Sequence, residues 1–206
     1  MRWQRHCRIV DMEASVWNRV LLFLLQNLIS LILIALLLRA YIQWLHLPAR
    51  NPFVQFVFKL THFVIGPLQR LLPRTTGLNI AIILLAAVLQ ILLTLAEYAL
   101  MGFPFAVAGS GVLPGFLVLA LTRLLTLANH MIMGIVLAGA ILSMVDPFST
   151  LAASFDALTA PLLRPFRKIV PITGNIDWSP MFLLIICELI DMFPVVWLTQ
   201  WAHQMI

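Results

Sequence analysis

Residues 161–180 read PLLRPFRKIVPITGNIDWSP, and residues 65–81 repeat them more loosely as IGPLQRLLPRTTGLNIA. The first copy gathers Arg164, Arg167 and Lys168 between prolines and runs into a helix-start signal; the second keeps Arg70 and the proline spacing. The correspondence extends outward. Asn51-Pro52-Phe53 matches Asp146-Pro147-Phe148, a three-residue slip follows, and then IGPLQRLLP at 65–73 matches LRPFRKIVP at 163–171 and Asn79 matches Asp177. Self-similarity at a fixed spacing governs a fold before any local pattern does. The chain therefore reads as a tandem duplication.

The residues around the repeated element say what is duplicated. Of 206 residues, 62% are hydrophobic and 10% charged, more apolar side chain than a small soluble core can hide. A bilayer core of roughly 30 Å needs about 20 apolar residues in helix. Four runs meet that length, at roughly 20–43, 79–101, 115–145 and 179–200. The reading is an all-α membrane protein with four transmembrane helices in two parallel repeats: a basic tail at 1–19, a first repeat at 20–101, an uncharged hairpin at 102–115 and a second repeat at 116–202. The first run is read as a retained helix, because a long arginine-bearing stretch precedes it and no small-residue cleavage site follows. The formal charge of +5 belongs with lipid headgroups and topology rather than with nucleic acid. Cys7 lies in the polar tail and Cys187 within a span, so a disulfide framework is not expected.

Between the two spans of each unit the apolar residues recur by threes and fours: Phe53, Phe56, Val57, Leu60, Phe63 and Val64 in one, Phe148, Leu151, Phe155, Leu158, Leu162, Phe166 and Ile169 in the other. Such segments predict amphipathic helices that lie in the interface or re-enter it, with Pro67, Pro161 and Pro165 expected to break or kink them. The alternative is two further spans, which Lys59, His62 and Asp156 make costly. Asn79, Asp177 and Ser179 stand where N-caps of the second spans are expected, with Pro180 in the first turn. The basic residues of both loops, with Arg39 close by, place those loops in the cytoplasm by the positive-inside rule.

Polar residues inside spans are expensive in hydrocarbon. Each span has some: Gln26, Asn27 and Ser30 in the first run, Gln90, Thr94 and Glu97 in the second, Thr122, Arg123, Thr126, Asn129 and His130 in the third, and Glu188 and Asp191 in the fourth. Helix-packing hydrogen bonds are one reading, at about 0.6 kcal/mol on average; an ion or proton path through His130, Glu188 and Asp191 is the other. Glu97 and Arg123 flank the hairpin at similar depth, which predicts an ion pair. The sequence carries no H-E-x-x-H, G-x-S-x-G, C-x-x-C or phosphate-binding glycine loop, and its five histidines lack ligand spacing. No enzymatic activity, cofactor or metal is expected.

The stretches NPFVQFVFKLTHFVIGPLQRLLP and APLLRPFRKIVPITGNIDWSPM, each set between hydrophobic helices, resemble the YggT family, whose longer bacterial members carry two copies of this domain. The resemblance implies a multi-pass inner-membrane protein without known enzymatic activity, linked in bacterial relatives to osmotic-stress tolerance and cation uptake and in others to membrane-complex assembly. Two functions follow as expectations. One is a scaffold or assembly factor whose basic segments contact anionic headgroups and other membrane proteins, itself compatible with homo-oligomerisation; the other is a component of a cation-uptake or osmotic-stress transport system using the polar span faces.

Overall fold

The chain is described by a computed structural model covering residues 2–71, 78–103, 112–168 and 177–205, with side chains for 17–66, 79–103, 112–168 and 177–204. The Leu/Ile-rich first run, free of Gly and Pro, lies within α1 (Arg2–Trp44), and the others follow as α2 (Pro52–Leu71), α3 (Leu78–Leu100), α4 (Val112–Val145), α5 (Thr150–Arg167), α6 (Ser179–Ile190), a π-helical turn (Asp191–Val195) and α7 (Val196–Met205). No strand occurs among the described residues. Four stretches are long and apolar enough to cross a membrane: Trp17–Trp44, Asn79–Leu100, Val112–Val145 and Ser179–Gln204. The four expected spans are thus present, although the boundary drawn at residue 19 falls inside α1 rather than at a separate tail.

Local chemistry sets the helix ends. At the end of α3, Gly102 takes φ +79, and Phe103 N–H reaches the Tyr98 carbonyl at 3.0 Å while Gly102 N–H reaches Ala99 at 3.1 Å, the Schellman arrangement that satisfies orphan carbonyls. At the end of α1 the same arrangement is built on His46, at φ 53, with Leu47 N–H on the Ile42 carbonyl. A side chain in this left-handed region is disfavoured by roughly 1–2 kcal/mol. Asn51 caps α2 by accepting from Phe53 N–H at 3.0 Å, and Ser149 caps α5 by accepting from Ala152 N–H at 3.1 Å. Asn79 is the second residue of α3, not the residue before it.

The prolines do not end α5. Pro161 and Pro165 both lie inside it, and α2 likewise runs on to Leu71, past position 67. Each proline removes one N–H that would have bonded four residues back. Spaced by four, the pair in α5 shares one side of the helix, so the loss is confined to a single strip of the ladder.

The two units correspond at an offset of 98 residues through α2 and α5. The caps Asn51 and Ser149 correspond, as do the buried Val54 and Ala152, Thr61 and Thr159, and Ile65 and Leu163. Thr61 and Thr159 each donate to the carbonyl four residues back, at 2.7 and 2.9 Å. The three-residue slip therefore falls between the Asn/Asp-Pro-Phe turn and the helix start.

Packing fixes the path of α2. Val54 and Val57 cluster with Ile42, whereas Ile65 clusters with Leu36, Ala40 and Ile82. Six residues of α1, about 9 Å, answer to eleven of α2, about 16 Å, so α2 crosses α1 obliquely. Helix association in lipid rests on van der Waals fit and interhelical hydrogen bonds rather than on expulsion of water. The halves join here: Ile42, Val54, Val57, Met131, Ile135 and Leu158 form one cluster drawn from α1, α2, α4 and α5. The Phe53 and Phe155 rings stand 5.0 Å apart, the Tyr41 hydroxyl donates to the Leu158 carbonyl at 2.8 Å, and the Asn51 carboxamide meets the Ser154 hydroxyl at 2.7 and 2.9 Å.

Candidate functional site

Two regions concentrate chemistry, one within the spans and one at the end of the bundle that carries α2 and α5. In the spans, Glu97 near the end of α3 pairs with Arg123 of α4. The Glu97 side chain is only 5% exposed and that of Arg123 32%, so the guanidinium is the partner with access to the surface. This bears out the expected pair. The hydroxyls of Thr94, Thr122 and Thr126 turn back onto their own helices, each donating to the carbonyl four residues earlier at 2.8–3.1 Å, the self-satisfying use of Thr in a span. Gln90 is buried, and its Oε1 meets no donor among the described residues.

Deeper in the spans, the buried Asn129 Nδ2 donates to the Cys187 carbonyl at 2.8 Å, tying α4 to α6. Its neighbour His130 places Nε2 3.3 Å from Asp191 Oδ2. Asp191 opens the π-helical turn that holds Pro194, and π turns inside helices recur at functional positions. Glu188, the counterpart of Gln90 in the second unit, does not join them: it is exposed on the outer face of α6. The sequence-predicted trio of His130, Glu188 and Asp191 is thus a contacting pair plus one outward carboxylate.

At the other end, α4, α5 and the start of α6 enclose a cavity of about 510 Å³, bordered by Val136, Gly139, Ser143, Asp156, Arg167 and Asp177 among others. Gly139 of α4 faces α5, where an added Cβ would meet Phe155 and Thr159 at 3.5 Å, an ordinary van der Waals contact. Arg167 Nε donates to Asp177 Oδ2 at 2.9 Å, and Asp177 Oδ1 accepts from Ser179 N–H at 2.9 Å. Burial alone would push the Asp177 carboxyl up, but hydrogen bonds from Ser179 and Arg167, with the guanidinium charge, together hold it below the usual carboxylate range. The N-cap position of α6 is held by Trp178 without a side-chain cap bond, so Asp177 acts one residue ahead of it, satisfying the Ser179 N–H rather than occupying the cap as expected. Ser179 is the first residue of α6, capped rather than capping, because its backbone N–H is the group being satisfied.

Of the basic residues picked out from sequence, Arg164 and Lys168 are exposed, Arg167 is committed to Asp177, and the side chain of Arg70 lies outside the described residues. Sequence reasoning missed Arg39, which it counted with the loop charges. Arg39 is buried at 5% exposure, donates Nη1 to Thr61 Oγ1 at 2.9 Å and to the Phe58 carbonyl at 3.3 Å, and stacks 4.7 Å over the Phe58 ring. A single arginine inside an apolar run was the available signal. Asp156 was read only as an insertion cost, and it is a cavity wall.

The CCB3/YggT family model matches this chain twice, over residues 18–100 and 118–198, which coincide with the two structural units. The chain is 35% identical over 173 residues to the "Uncharacterized protein YggT" of Escherichia coli (strain K12), covering 84% of this chain and 87% of the relative. It is 31% identical over 180 residues to an uncharacterized protein of Pseudomonas aeruginosa, covering 86% and 89%. It is 33% identical over 167 residues to the "Uncharacterized protein in proC 3'region" of Vibrio alginolyticus, covering 79% and 86%. No solved structure matches.

Proposed function

The chain belongs to the CCB3/YggT family, and from that premise we propose that it is a non-enzymatic scaffold or assembly and stress-tolerance factor of the inner membrane, acting by docking other membrane helices against its outer faces. Glu188 carries the reading. It lies nine residues into the last span, about 13 Å from its start and so near the middle of a bilayer core of roughly 30 Å, yet it is exposed between Ile185, Leu189 and Met192, which are exposed as well. A carboxyl facing acyl chains costs about 2.5–3.5 kcal/mol; a partner helix offering a donor removes that cost. On the loop side, Arg164 and Lys168 stand outward from the end of α5, where each basic residue near an anionic leaflet contributes about 1 kcal/mol. With these loops in the cytoplasm, α2 and α5 act as interfacial elements: Phe56, Leu60 and Phe63 form an exposed apolar strip on α2, beside the exposed polar strip of Gln55, Lys59 and His62.

The test is photocrosslinking from Ile185 and Leu189 in native membranes, with Glu188→Leu as control. A discrete protein adduct that weakens at least fivefold in the variant supports the reading. Adducts to lipid alone, or a protein adduct indifferent to Glu188, refute it. A second reading, a cation or osmotic-stress transport component, draws on the 3.3 Å contact of His130 with Asp191; loss of proteoliposome cation flux in Asp191→Asn supports it, and unchanged flux removes it.

A further inference from the structure

The duplication provides its own control for the cavity at the end of α4, α5 and α6. Taken 98 residues earlier, Asp156, Arg167 and Asp177 correspond to Phe58, Gln69 and Asn79. All three charges therefore belong to the second unit alone. In the first unit the place of Asp156 is held by the ring over which Arg39 stacks.

The charges present define what fits. Asp156 and Asp177 against Arg167 leave the lining one negative charge in excess. Asp177 is spent on Arg167 and on the start of α6. The Asp156 carboxylate meets no cation among the described residues, and it faces a space of about 510 Å³. Arg167 uses one N–H on Asp177, out of five that a guanidinium offers. The cavity thus presents a free anion and a cation to one occupant. Its deeper wall is apolar: Val136 and Leu163 continue into the cluster with Leu183 and Cys187. Asp177 and Pro180 border the cavity at the start of the α6 span, at the level where headgroups meet acyl chains.

We propose that this cavity is a binding site for a zwitterionic phospholipid headgroup of the phosphoethanolamine class, with the ammonium on Asp156, the phosphodiester on Arg167 and the glycerol end against Val136 and Leu163. A primary ammonium has N–H groups for the carboxylate to accept, which a quaternary ammonium lacks. No aromatic ring lines the cavity among the described residues, so the cage that recognises choline-type cations is missing. An anionic headgroup would bring its charge against the carboxylate excess. The proposal is independent of whether a partner helix covers Glu188.

The experiment is native mass spectrometry of the full-length protein released from nanodiscs holding equal phosphatidylethanolamine, phosphatidylglycerol and phosphatidylcholine. Preferential retention of phosphatidylethanolamine is expected, reduced about tenfold in Asp156→Asn, as for loss of one charge-assisted hydrogen bond, and largely kept in Asp156→Glu. Equal retention of the three lipids, or an Asp156→Asn protein that retains them as before, overturns the site. Because Asp156 is exposed, the variant is expected to match the parent in helicity and thermal unfolding in plain detergent; if it unfolds instead, the Asp156→Glu protein and the lipid preference of the parent decide. Soluble glycerophosphoethanolamine is the second arm: binding as tight as that of the lipid would overturn the membrane source of the ligand.

Discussion

Removing either partner of the Glu97–Arg123 pair should give unequal losses, and the inequality follows from burial. In Arg123→Met the carboxyl left behind is the one whose side chain is 5% exposed, with Oε1 already lacking a donor among the described residues. It is left without its cation, at the scale of a broken buried pair, about 3–5 kcal/mol. In Glu97→Gln the group left behind is a guanidinium on a side chain 32% exposed, which can turn its head toward the polar boundary. The glutamine can still accept one of its hydrogen bonds, and a loss of about 1–2 kcal/mol follows. The double variant carries no orphaned charge and should recover most of the larger loss, a coupling of about 2 kcal/mol or more. Equilibrium unfolding by SDS in mixed micelles, followed by helicity, measures all four corners. An Arg123→Met loss no greater than that of Glu97→Gln, or a double variant equal to the sum of the singles, would refute the reasoning.

Other changes probe the packing and the caps. Leu158→Ala empties a fully buried position where the halves meet and should cost about 2–5 kcal/mol in the same unfolding assay. Thr61→Val should cost about 1.5–3 kcal/mol because it strips a hydroxyl acceptor from buried Arg39. Thr159→Val, at the equivalent site without an arginine, should stay below about 1 kcal/mol; equal losses would count against the asymmetry. The depressed Asp177 carboxyl contributes stability that is complete above the unfolded-state carboxylate value and is lost as pH falls through its lower folded-state value. Acid titration of thermal unfolding should therefore show a loss below the usual carboxylate range that is missing in Asp177→Asn.

Where the fold was legible, the signal was long or repeated. Four apolar runs exceed the bilayer thickness and became four spans, whereas the caps Asn51 and Ser149 lie at positions that read from sequence as a turn or as no element at all. Gly102 announces its own turn, because glycine takes positive φ without cost. His46 does the same work at the end of α1 and could not be read in advance, since nothing local marks a histidine for φ 53. The prolines misled for a related reason: a proline breaks a helix by default, but packing of α5 on α4 holds the rest of the ladder, and only tertiary contacts reveal that. The ion pair of Glu97 and Arg123 could be inferred from equal depth on adjoining spans. Burial of Arg39 could not, because whether an arginine near a span end snorkels outward or turns onto a neighbouring helix depends on where α2 crosses, and that crossing is set by Ile42, Leu36 and Ile65 packing at long range.

The central claim is that the two units are parallel copies whose oblique helices meet on one side of the membrane. Asn51 and Ser154 are in side-chain contact across that junction, so the most direct measurement is oxidative crosslinking of the Asn51→Cys, Ser154→Cys double variant in membranes, with Cys7 and Cys187 replaced by serine. A protease site placed between residues 103 and 112 separates the halves. Rapid crosslinking that holds the two fragments together, with both thiols labelled from the same face before oxidation, is the expected result. Fragments that separate without reductant, or thiols labelled from opposite faces, would contradict it.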